Sequence, residues 1–442
     1  MTGDPRVLFL DQTGALGGGE LALRDIVGPY RRQGRVVLFA DGPLRRLLDG
    51  DGTTVEVLGG GPAGDLRRVR RESGPLAGLV AAPELLRLAR RVRTSAAAHD
   101  VLYANSQKAL LVGALAAAPR RTPLVWHLHD ILAPEHFSLA NVRLAVTVAN
   151  AAGAHVVADS SATARAFVSA GGRADRVRVV HYGFAPPDPV PAHVAAADRA
   201  AVRAGLGLDD RAFVAANVGR LSPWKGQDVF VRALARVPGA IGLIVGEALF
   251  GEDDVEPSLR ALADGLGIGD RVVFAGFRSD PGRVMAASDL VVHSSTAPEP
   301  FGRVIVEAML AGTPVVAAAA GGPCEIVDDG RTGWLVEPGD PVALADRIEH
   351  RRRHPDEATG LAAAAAADAR SRFTLEAMHE GIRRVVDEAL ARHRSSAGRR
   401  RWATTAPASV ADTPETDVDI DRAAESDIDD GDAAAPSPPG RA

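Results

Sequence analysis

A repeated alternation of short apolar runs and longer amphipathic stretches restricts the possible folds of this chain most strongly. Short runs rich in Val, Leu and Ala, separated by helix-like segments, are typical of a parallel sheet covered by helices on both faces. In the first half we expect strands at Arg6–Leu10, Arg35–Ala40, Thr54–Leu58, Val101–Ala104, Leu124–His129, His155–Ala158 and Val177–His181, and helices that include Glu20–Gln33, Pro83–Arg93 and Ser161–Ala170. In the second half we expect strands at Phe213–Val218, Ile241–Val245, Arg271–Ala275, Leu290–His293, Pro314–Ala318 and Gly333–Val336, and helices near Gln227–Arg236, Pro257–Gly265, Arg303–Ala311 and Pro341–Arg352. The pattern predicts an α/β protein of two Rossmann-like domains that face each other across a cleft, with ligands at the carboxyl ends of the strands.

A proline-rich segment separates the two halves. It contains Pro186, Pro187, Pro189 and Pro191, which favours an interdomain linker at residues 185–197. We therefore expect a first domain at residues 1–184 and a second at 198–370. The C-terminal segment 395–442 is rich in Pro, Ser, Asp and Ala and poor in large apolar side chains, so we expect it to be a disordered tail.

Composition excludes several classes of protein. The net charge of the 442-residue chain is −5, but residues 412–442 hold ten acidic residues against two arginines, which leaves the rest nearly neutral and does not favour nucleic-acid binding. No apolar run reaches the length of a membrane span, and the N-terminus does not resemble a signal peptide. The single cysteine, Cys324, excludes an internal disulfide framework and a cysteine-cluster metal site, so we expect a cytoplasmic protein.

The segment Glu299–Glu307, EPFGRVIVE, carries the strongest functional signal. Two carboxylates flank a Pro-Phe-Gly turn and an apolar run, so Glu307 lies within an otherwise hydrophobic helix. A carboxylate buried without a partner costs several kcal/mol or changes its pKa, so such a residue usually has a partner. Because a ligand with neighbouring hydroxyls would serve as that partner, the segment predicts a site for a sugar or a ribose.

Two cations follow the first strand of the second half. Arg220 offers a planar fork of donors and Lys225 a compact charge, a combination that suits a diphosphate. Of the 51 basic residues only Lys108 and Lys225 are lysines, which gives Lys225 more weight. The alternative is a solvated surface lysine.

Glycine-rich and histidine-containing loops follow other predicted strands. Gly17 and Gly18 lie in a GALGGGE loop before a helix, where backbone N–H groups can approach an anion, although a tight strand-to-helix turn is an equal explanation. His127 and His129 alternate on one strand face before Asp130, but no further cluster accompanies them as metal ligands. We expect a histidine at this strand end either to bind a sugar hydroxyl or to be satisfied within the protein.

The predicted helix Pro83–Arg93 has an apolar face and a face with Arg87, Arg90 and Arg91. Together with the arginines at 67–71, this pattern permits weak peripheral contact with a membrane. An ordinary outer helix of the first domain explains the same pattern.

With these motifs assembled, the chain resembles the retaining glycosyltransferases of the GT-B fold, specifically glycosyltransferase family 4. The resemblance extends from Arg6 to about Arg394 and rests on GGGE, DVLYANS, WHLHD, NVGRLSPWKG, and EPFGRVIVEAMLAGTPVVA with the following GGPCEIVDDGRTGWLVEPGD. His181-Tyr182-Gly183 departs from it, since similar proteins commonly have Asn-Gly there. The resemblance also implies that a helix at residues 371–394 crosses back to the first domain.

The resemblance implies a nucleotide-sugar donor, bound mainly by the second domain without a metal or other cofactor. His129 (with His127 as the fallback), Arg220, Lys225 and Glu299 are the implied catalytic residues, and the implied donor-binding residues are Gly17, Gly18, Phe277, Arg278, Phe301, Gly302, Arg303 and Glu307. Glu307 would accept the ribose hydroxyls, and Phe277 with Arg278 would lie near the base. Glu299 and the backbone N–H groups of residues 301–303 would hold the sugar.

The function predicted from the sequence is therefore transfer of a sugar, with retained configuration, to a glycan, a lipid-linked or a small-molecule acceptor. A GT-B epimerase or phosphorylase is a second possibility, and a non-catalytic sugar-nucleotide-binding scaffold is a third. The sequence names neither the donor nor the acceptor.

Overall fold

The computed structural model describes residues 4–59, 75–187, 192–249 and 251–405. The predicted tail beyond residue 405, the centre of the predicted linker and the arginines at 67–71 lie outside these ranges. Residues 192–197 of the predicted linker form the first turns of a helix.

Within the described ranges the first sheet has seven strands, and every observed pairing between them is parallel. They are β1 (Val7–Asp11), β2 (Arg35–Leu38), β3 (Thr54–Val57), β4 (Val101–Ala104), β5 (Leu124–Leu128), β6 (His155–Ala158) and β7 (Val177–Val179), in the spatial order β3-β2-β1-β4-β5-β6-β7. The order reverses between β1 and β4, which is where a crevice forms in sheets of this kind.

The second sheet has six strands in the part of the chain that the structure describes, and its strand order reverses in the same way. They are β8 (Phe213–Val218), β9 (Ala240–Val245), β10 (Val272–Gly276), β11 (Leu290–His293), β12 (Val315–Ala318) and β13 (Trp334–Val336), in the spatial order β10-β9-β8-β11-β12-β13. All its pairings are parallel, and the order reverses between β8 and β11. All thirteen predicted strands are therefore confirmed, with ends shifted by no more than two residues.

Fifteen α-helices are found in the described part of the chain. In the first half they are α1 (Gly18–Val27), α2 (Pro43–Gly50), α3 (Pro75–Ala96), α4 (Gln107–Ala117), α5 (Leu139–Ala152), α6 (Ser161–Ser169) and α7 (Ala192–Gly205). In the second half they are α8 (Gln227–Leu234), α9 (Val255–Gly265), α10 (Pro281–Ala287), α11 (Arg303–Leu310), α12 (Pro323–Ile326), α13 (Pro341–Arg353), α14 (Pro355–Arg372) and α15 (Leu375–Thr405).

Three helix predictions differ from the structure in extent. The helix expected at Glu20–Gln33 ends at Val27, because Gly28 and Pro29 begin a short 3₁₀ turn that the α-helix cannot continue through. The helix expected to start at Pro83 begins eight residues earlier, at Pro75, so Pro83 lies inside it. The last helix continues past the predicted boundary to Thr405.

One continuous apolar cluster connects the two sheets. Tyr182 and Phe184 follow the first sheet and pack against Phe301, which precedes α11, and Phe373, which ends α14. Helix α15 adds Met378, Ile382, Val385 and Val386 to this cluster, and its Glu388 and Arg392 pair with Arg178 and Asp175 of the first half. The final helix thus lies against the first half of the chain.

No helix in the described ranges is long and apolar enough to cross a lipid bilayer. Helix α3 directs Leu88, Ala89 and Val92 into the core of the first sheet. The apolar face that a membrane contact would need is therefore covered, and of the large apolar side chains described on α3 only Leu86 is exposed, at 49%.

Candidate functional site

Polar side chains collect where the strands of the two sheets end. Asp11, Asn105, His129 and Asp159 follow or end β1, β4, β5 and β6, and His293 ends β11. Because β1 and β4, and likewise β8 and β11, flank the point where the strand order reverses, these side chains lie at the two crevices that the topology creates.

Polar contacts join the two halves across the cleft. Glu325 accepts hydrogen bonds at 2.9 Å from the backbone N–H groups of Ser161 and Ala162 at the start of α6. Arg303 lies 3.7 Å from Asp25 of α1. The structure therefore shows the two domains facing each other, as predicted.

Glu299 lies at the centre of a buried ionic cluster. Both of its carboxylate oxygens accept hydrogen bonds from Lys225 Nζ, at 2.8 and 2.7 Å, and its Oε2 also accepts from Ser295 Oγ at 2.9 Å and His293 Nε2 at 3.1 Å. Burial raises the pKa of Glu299, but Lys225 and His293 outweigh burial and hold it well below its usual range. A fixed anion and a fixed cation thus meet at the end of the second sheet.

Local backbone geometry places these groups. Gly226, next to Lys225, has φ +66°, and a Cβ there would collide with the backbone carbonyl of Ser294. Gly302 has φ +104° and begins α11. Residues with a side chain rarely adopt such values, so the two glycines permit the turns that direct Lys225 and the start of α11 toward the cleft.

Arg220, the second predicted cation, is paired with a carboxylate that sequence reasoning missed. Its Nη1 lies 3.2 Å from Glu252 Oε2, and the other oxygen of Glu252 accepts from Ser222 Oγ at 2.9 Å. Glu252 thus contacts two groups that follow β8 and are suited to an anion. No local pattern marks it in the sequence, where it is one of three acidic residues in a row.

Glu307 lies on α11 among buried Ile305, Val306 and Ala308, as predicted, but its side chain is 27% exposed. Its nearest described cation is Arg303, one helical turn earlier, whose Nε lies 3.6 Å from Glu307 Oε1. Burial raises the pKa of Glu307, Arg303 opposes this, and Asp25 adds to it. The negative charge of this carboxylate is therefore only weakly balanced by nearby cations. Such a carboxylate is suited to accepting hydrogen bonds from the hydroxyls of a ligand.

Arg303 contributes more than the backbone N–H that the sequence suggested. Its guanidinium lies 4.7 Å from the Phe184 ring centre and 5.4 Å from that of Tyr182, and it is only 14% exposed. A Cβ placed on Gly18 would lie 3.6 Å from Arg303 Cδ, so the glycine loop of the first domain approaches this arginine closely. Gly17 lies at the N-terminal cap of α1.

His129 and His127 differ in their surroundings. His129 is partly exposed beside Gly19, while His127 is 1% exposed and stacks on His129 with ring centres 4.0 Å apart. The Nδ1 of His127 lies 2.7 Å from the hydroxyl of Tyr103. His127 therefore has no surface to offer a ligand, which leaves His129 as the histidine at the cleft.

Both ring nitrogens of His129 already have partners within the protein. Nε2 lies 2.8 Å from Asn105 Oδ1, and Nδ1 lies 2.5 Å from the Tyr182 hydroxyl. Burial, and then the charge of Arg303, lowers the pKa of His129 to about 3, so the ring is neutral at physiological pH. A hydrogen bond between this ring and a ligand therefore requires the ligand to replace Asn105 or Tyr182 at one of the two nitrogens.

Phe277 and Arg278 follow β10. Phe277 is 54% exposed, and Arg278 forms a two-point pair with Asp280 at 2.8 Å. The Arg278 fork is therefore satisfied internally, whereas the Phe277 ring offers a free face. Within the described ranges no group of three His, Cys, Asp or Glu side chains is placed to hold a metal ion.

Two family models match the chain, and together they cover both sheets. The model "Glycosyl transferases group 1" matches residues 198–366, and "Glycosyl transferase 4-like domain" matches residues 17–183. The chain therefore belongs to the group 1 glycosyltransferases with the GT-B fold, as its sequence motifs predicted.

The chain is also similar in sequence to particular proteins. The crystal structure of Anabaena HepE in complex with UDP-glucose is 43% identical, with a TM-score of 0.77, and the match covers 87% of this chain and 100% of that one. D-inositol 3-phosphate glycosyltransferase of Acidothermus cellulolyticus is 35% identical over 323 residues, which is 68% of this chain and 70% of that protein. The protein of the same name from Mycobacterium sp. strain KMS is 37% identical over 262 residues, and there the match spans only 58% of the relative's length.

Proposed function

We propose that the protein transfers a sugar from a nucleoside-diphosphate sugar to an acceptor hydroxyl. One observation carries the proposal: the buried Lys225–Glu299 pair at the end of the second sheet, in a chain 43% identical to a protein solved with UDP-glucose. UDP-glucose is accordingly the donor to test first. Epimerase, phosphorylase and scaffold functions have no comparable support.

The donor lies along the second domain in this proposal. The Phe277 ring and Arg278 flank the base, and Glu307 accepts the hydroxyls of the ribose. Arg220 and Lys225 face the diphosphate, with Gly17 and Gly18 approaching it from the first domain. Glu299 and the N–H groups of Phe301, Gly302 and Arg303 hold the sugar.

The chemical step is departure of the nucleoside diphosphate. The bond between the anomeric carbon and the phosphate oxygen breaks, and a bond from the acceptor oxygen to the same face of that carbon forms. Attack on the same face retains the configuration, and the leaving phosphate takes the acceptor proton, so no separate base is needed. Arg220 and Lys225 are fixed cations that stabilise the developing negative charge without a metal.

Glu252 gives donor binding a requirement that the sequence did not reveal. In the structure its carboxylate bonds to Arg220 and Ser222, where a phosphate of the donor would bind. We infer that the diphosphate displaces Glu252 from Arg220. His129 likewise contacts the sugar only if a sugar hydroxyl replaces Asn105 at Nε2.

A contact between α3 and a membrane would have to use the polar side of this helix. Leu86 and Arg87 are exposed there, at 49% for the leucine, whereas the apolar face is buried. We therefore propose at most a weak electrostatic contact with anionic lipid. Flotation with anionic vesicles at low salt tests it, and absence of binding there ends the idea.

A direct experiment uses purified protein with radiolabelled UDP-glucose and an extract that supplies glycan and lipid acceptors. Transfer with retained anomeric configuration, undiminished by a metal chelator, supports the whole proposal. Product analysis with donor alone and with donor plus inorganic phosphate separates transfer from epimerisation and phosphorolysis. Binding of UDP-glucose without transfer to any acceptor would favour the scaffold function instead.

A further inference from the structure

A chain of buried hydrogen bonds connects four strand ends of the first domain through His129. It runs from Asp11 to Asn105 (2.6 Å), to His129 (2.8 Å), to Tyr182 (2.5 Å) and to Asp159 (3.2 Å). Except for the ring of His129, every side chain in it is at least 95% buried. Neither the motifs nor the proposed transfer step assigns a role to Tyr182, Asp159 or Asn105.

The direction of each hydrogen bond follows from Asn105. Its Nδ2 lies 2.6 Å from a carboxylate oxygen of Asp11 and 3.1 Å from the backbone carbonyl of Gly19. A backbone carbonyl only accepts, so this atom is the amide nitrogen and the atom facing His129 is the amide oxygen. Because that oxygen only accepts, His129 Nε2 must carry a proton.

The directions of the hydrogen bonds at Tyr182 and Asp159 then follow as well. A neutral His129 with a proton on Nε2 has a lone pair on Nδ1, so Tyr182 must donate its single hydroxyl proton there. The Tyr182 oxygen also lies 3.2 Å from Asp159 Oδ2, and it can no longer donate to that carboxylate. Both groups are satisfied together only when Asp159 is protonated and donates to Tyr182.

We propose that Tyr182 is a positioning residue that links the protonation of Asp159 to the hydrogen bond at His129 Nδ1. It holds the imidazole with a proton on Nε2 and with Nδ1 as an acceptor. When Asp159 loses its proton, Tyr182 turns its hydroxyl toward the new carboxylate, and His129 loses the donor to Nδ1. The inference rests on the proposed function for the identity of the site, but the hydrogen-bond chain is independent of any ligand.

The surroundings of Asp159 support a proton in the accessible pH range. Burial raises the pKa of Asp159 to about 7, although Thr163 donates to it and Tyr182 donates to its ionised form, and the carboxylates of Asp130 and Glu299 raise the pKa further. Thr163 Oγ1 donates to its other oxygen at 2.7 Å. On the far side of the ring, Arg303 faces both His129 and Tyr182 and disfavours an imidazolium. At the Asp11 end, burial and the charge of Glu20 raise the pKa of Asp11 well above its ordinary value.

A neighbouring pair of residues gives a matched control. Tyr103 donates to or accepts from His127 Nδ1 at 2.7 Å, in the same core and next to the stacked ring of His129. Tyr103→Phe removes an equally buried hydroxyl that is not part of the hydrogen-bond chain through His129. Tyr182→Phe keeps the ring that packs on Phe301 and removes only the link between Asp159 and His129.

Nitrogen NMR of ¹⁵N-histidine-labelled, ligand-free protein tests the inference, with His129 assigned by its loss in His129→Gln. We expect a protonated Nε2 and an accepting Nδ1 at pH 6, and an Nδ1 signal that changes with a midpoint near pH 7. Asp159→Asn, whose amide nitrogen faces Tyr182 when its oxygen accepts from Thr163, should remove that midpoint, and Tyr103→Phe should leave the signals of His129 unchanged. A proton on Nδ1 instead of Nε2 in the unsubstituted protein, or the same Nδ1 signal in Tyr182→Phe, would overturn the inference.

A kinetic arm separates this inference from the proposed function. With UDP-glucose as donor, Tyr182→Phe should lower kcat about tenfold to a hundredfold, as loss of a positioning partner typically does, with little change in KM for the donor. An unchanged kcat in a variant whose NMR shows the altered ring would overturn the positioning role. Absence of turnover in the unsubstituted protein would refute the proposed function and leave the NMR result standing.

Discussion

At the scale of single residues, burial separates the Lys225–Glu299 pair from an ion pair of equal length on the surface. Both this pair and Arg260–Glu256 on α9 have an N–O distance of 2.7 Å. The side chains are 21% and 10% exposed in the first pair, but 52% and 35% in the second. Buried charges depend on their partners far more than solvated ones do, because water cannot replace the lost partner.

This contrast predicts the outcome of two double-mutant cycles on the free energy of unfolding. Lys225→Ala with Glu299→Ala should show a coupling of about 2–3 kcal/mol, whereas Arg260→Ala with Glu256→Ala should show about 0.3–0.5 kcal/mol. Urea unfolding of the four variants and the two doubles measures both. Equal couplings in the two cycles would mean that burial does not govern the pair.

Asp159 predicts a dependence of stability on pH. Its pKa of about 7 lies above the ordinary carboxyl value of 3.8, so the folded protein holds this proton more tightly than the unfolded chain does. The contribution of Asp159 to stability is therefore fully present below about pH 4 and is lost as the pH rises to about 7, by up to roughly 1.4 kcal/mol per pH unit. Asp159→Asn should gain stability relative to the unsubstituted protein between pH 5 and pH 7.

Asp175 is the control of opposite sign for these unfolding measurements. Hydrogen bonds from Arg173 and then Arg392 lower the pKa of Asp175 to about 2. Its contribution is present above about pH 4 and is lost only as the pH falls toward 2, so the effect of Asp175→Asn should not vary between pH 5 and pH 8. A flat difference for Asp159→Asn over the same range would contradict the assignment.

At the scale of elements, Glu325 is a helix cap supplied by the opposite domain. Burial raises its pKa, but the N–H groups of Ser161 and Ala162 outweigh burial and hold the pKa below its usual value. Asp340 caps α13 within one domain, accepting from the backbone N–H groups of Val342 and Ala343 at 2.8 and 3.0 Å. The two caps have similar chemistry, but only Glu325 joins the two halves.

We predict that Glu325→Ala and Asp340→Ala both destabilise the fold, by about 1–3 and about 1 kcal/mol. Only Glu325→Ala should also increase the radius of gyration in small-angle X-ray scattering, because it releases the first domain from the second. An unchanged radius in Glu325→Ala would show that this contact does not hold the cleft closed.

The strands of this protein were easier to predict from the sequence than its helices. Strand positions were predictable because most strands are short apolar runs, buried on both faces and bounded by polar residues. Helices α7, α10, α12 and α14 were not predicted. Helix α7 starts beside the prolines of the linker, α10 and α12 have only 7 and 4 residues, and α14 is too rich in alanine to show an apolar period. Lys225 and Glu299, 74 positions apart, were assigned to one site through the resemblance to family 4, and they are in contact in the structure.

Other members of the site could not be predicted from local pattern. Glu252, Asn105 and Asp159 gain their partners only when strand ends come together, and their neighbours in sequence give no sign of it. Tyr182 had one signal, since His-Tyr-Gly departs from the motif of similar proteins. Sequence reasoning also placed His129 against a ligand without showing that both its nitrogens are already occupied.

At the scale of the whole molecule, the apolar cluster shared by both sheets and α15 should make unfolding cooperative. Ile382 of α15 is 1% exposed in this cluster, whereas Arg384 on the same helix has a side chain 67% exposed. We expect one calorimetric transition. Ile382→Ala should lower the free energy of unfolding by about 2–5 kcal/mol, and Arg384→Ala should lower it by less than about 0.5 kcal/mol. Two separate transitions in the unsubstituted protein would contradict this shared core.

The central claim is that the second domain holds a nucleoside-diphosphate sugar between Lys225 and Glu307, and calorimetric titration with UDP-glucose tests it most directly. We predict measurable binding to the unsubstituted protein, at least tenfold weaker binding to Lys225→Ala and Glu307→Ala, and no change for Arg260→Ala, which removes a surface cation. A tenfold loss corresponds to about 1.4 kcal/mol, well below the contribution of a buried charge contact. Equal affinity in all four proteins would contradict the account.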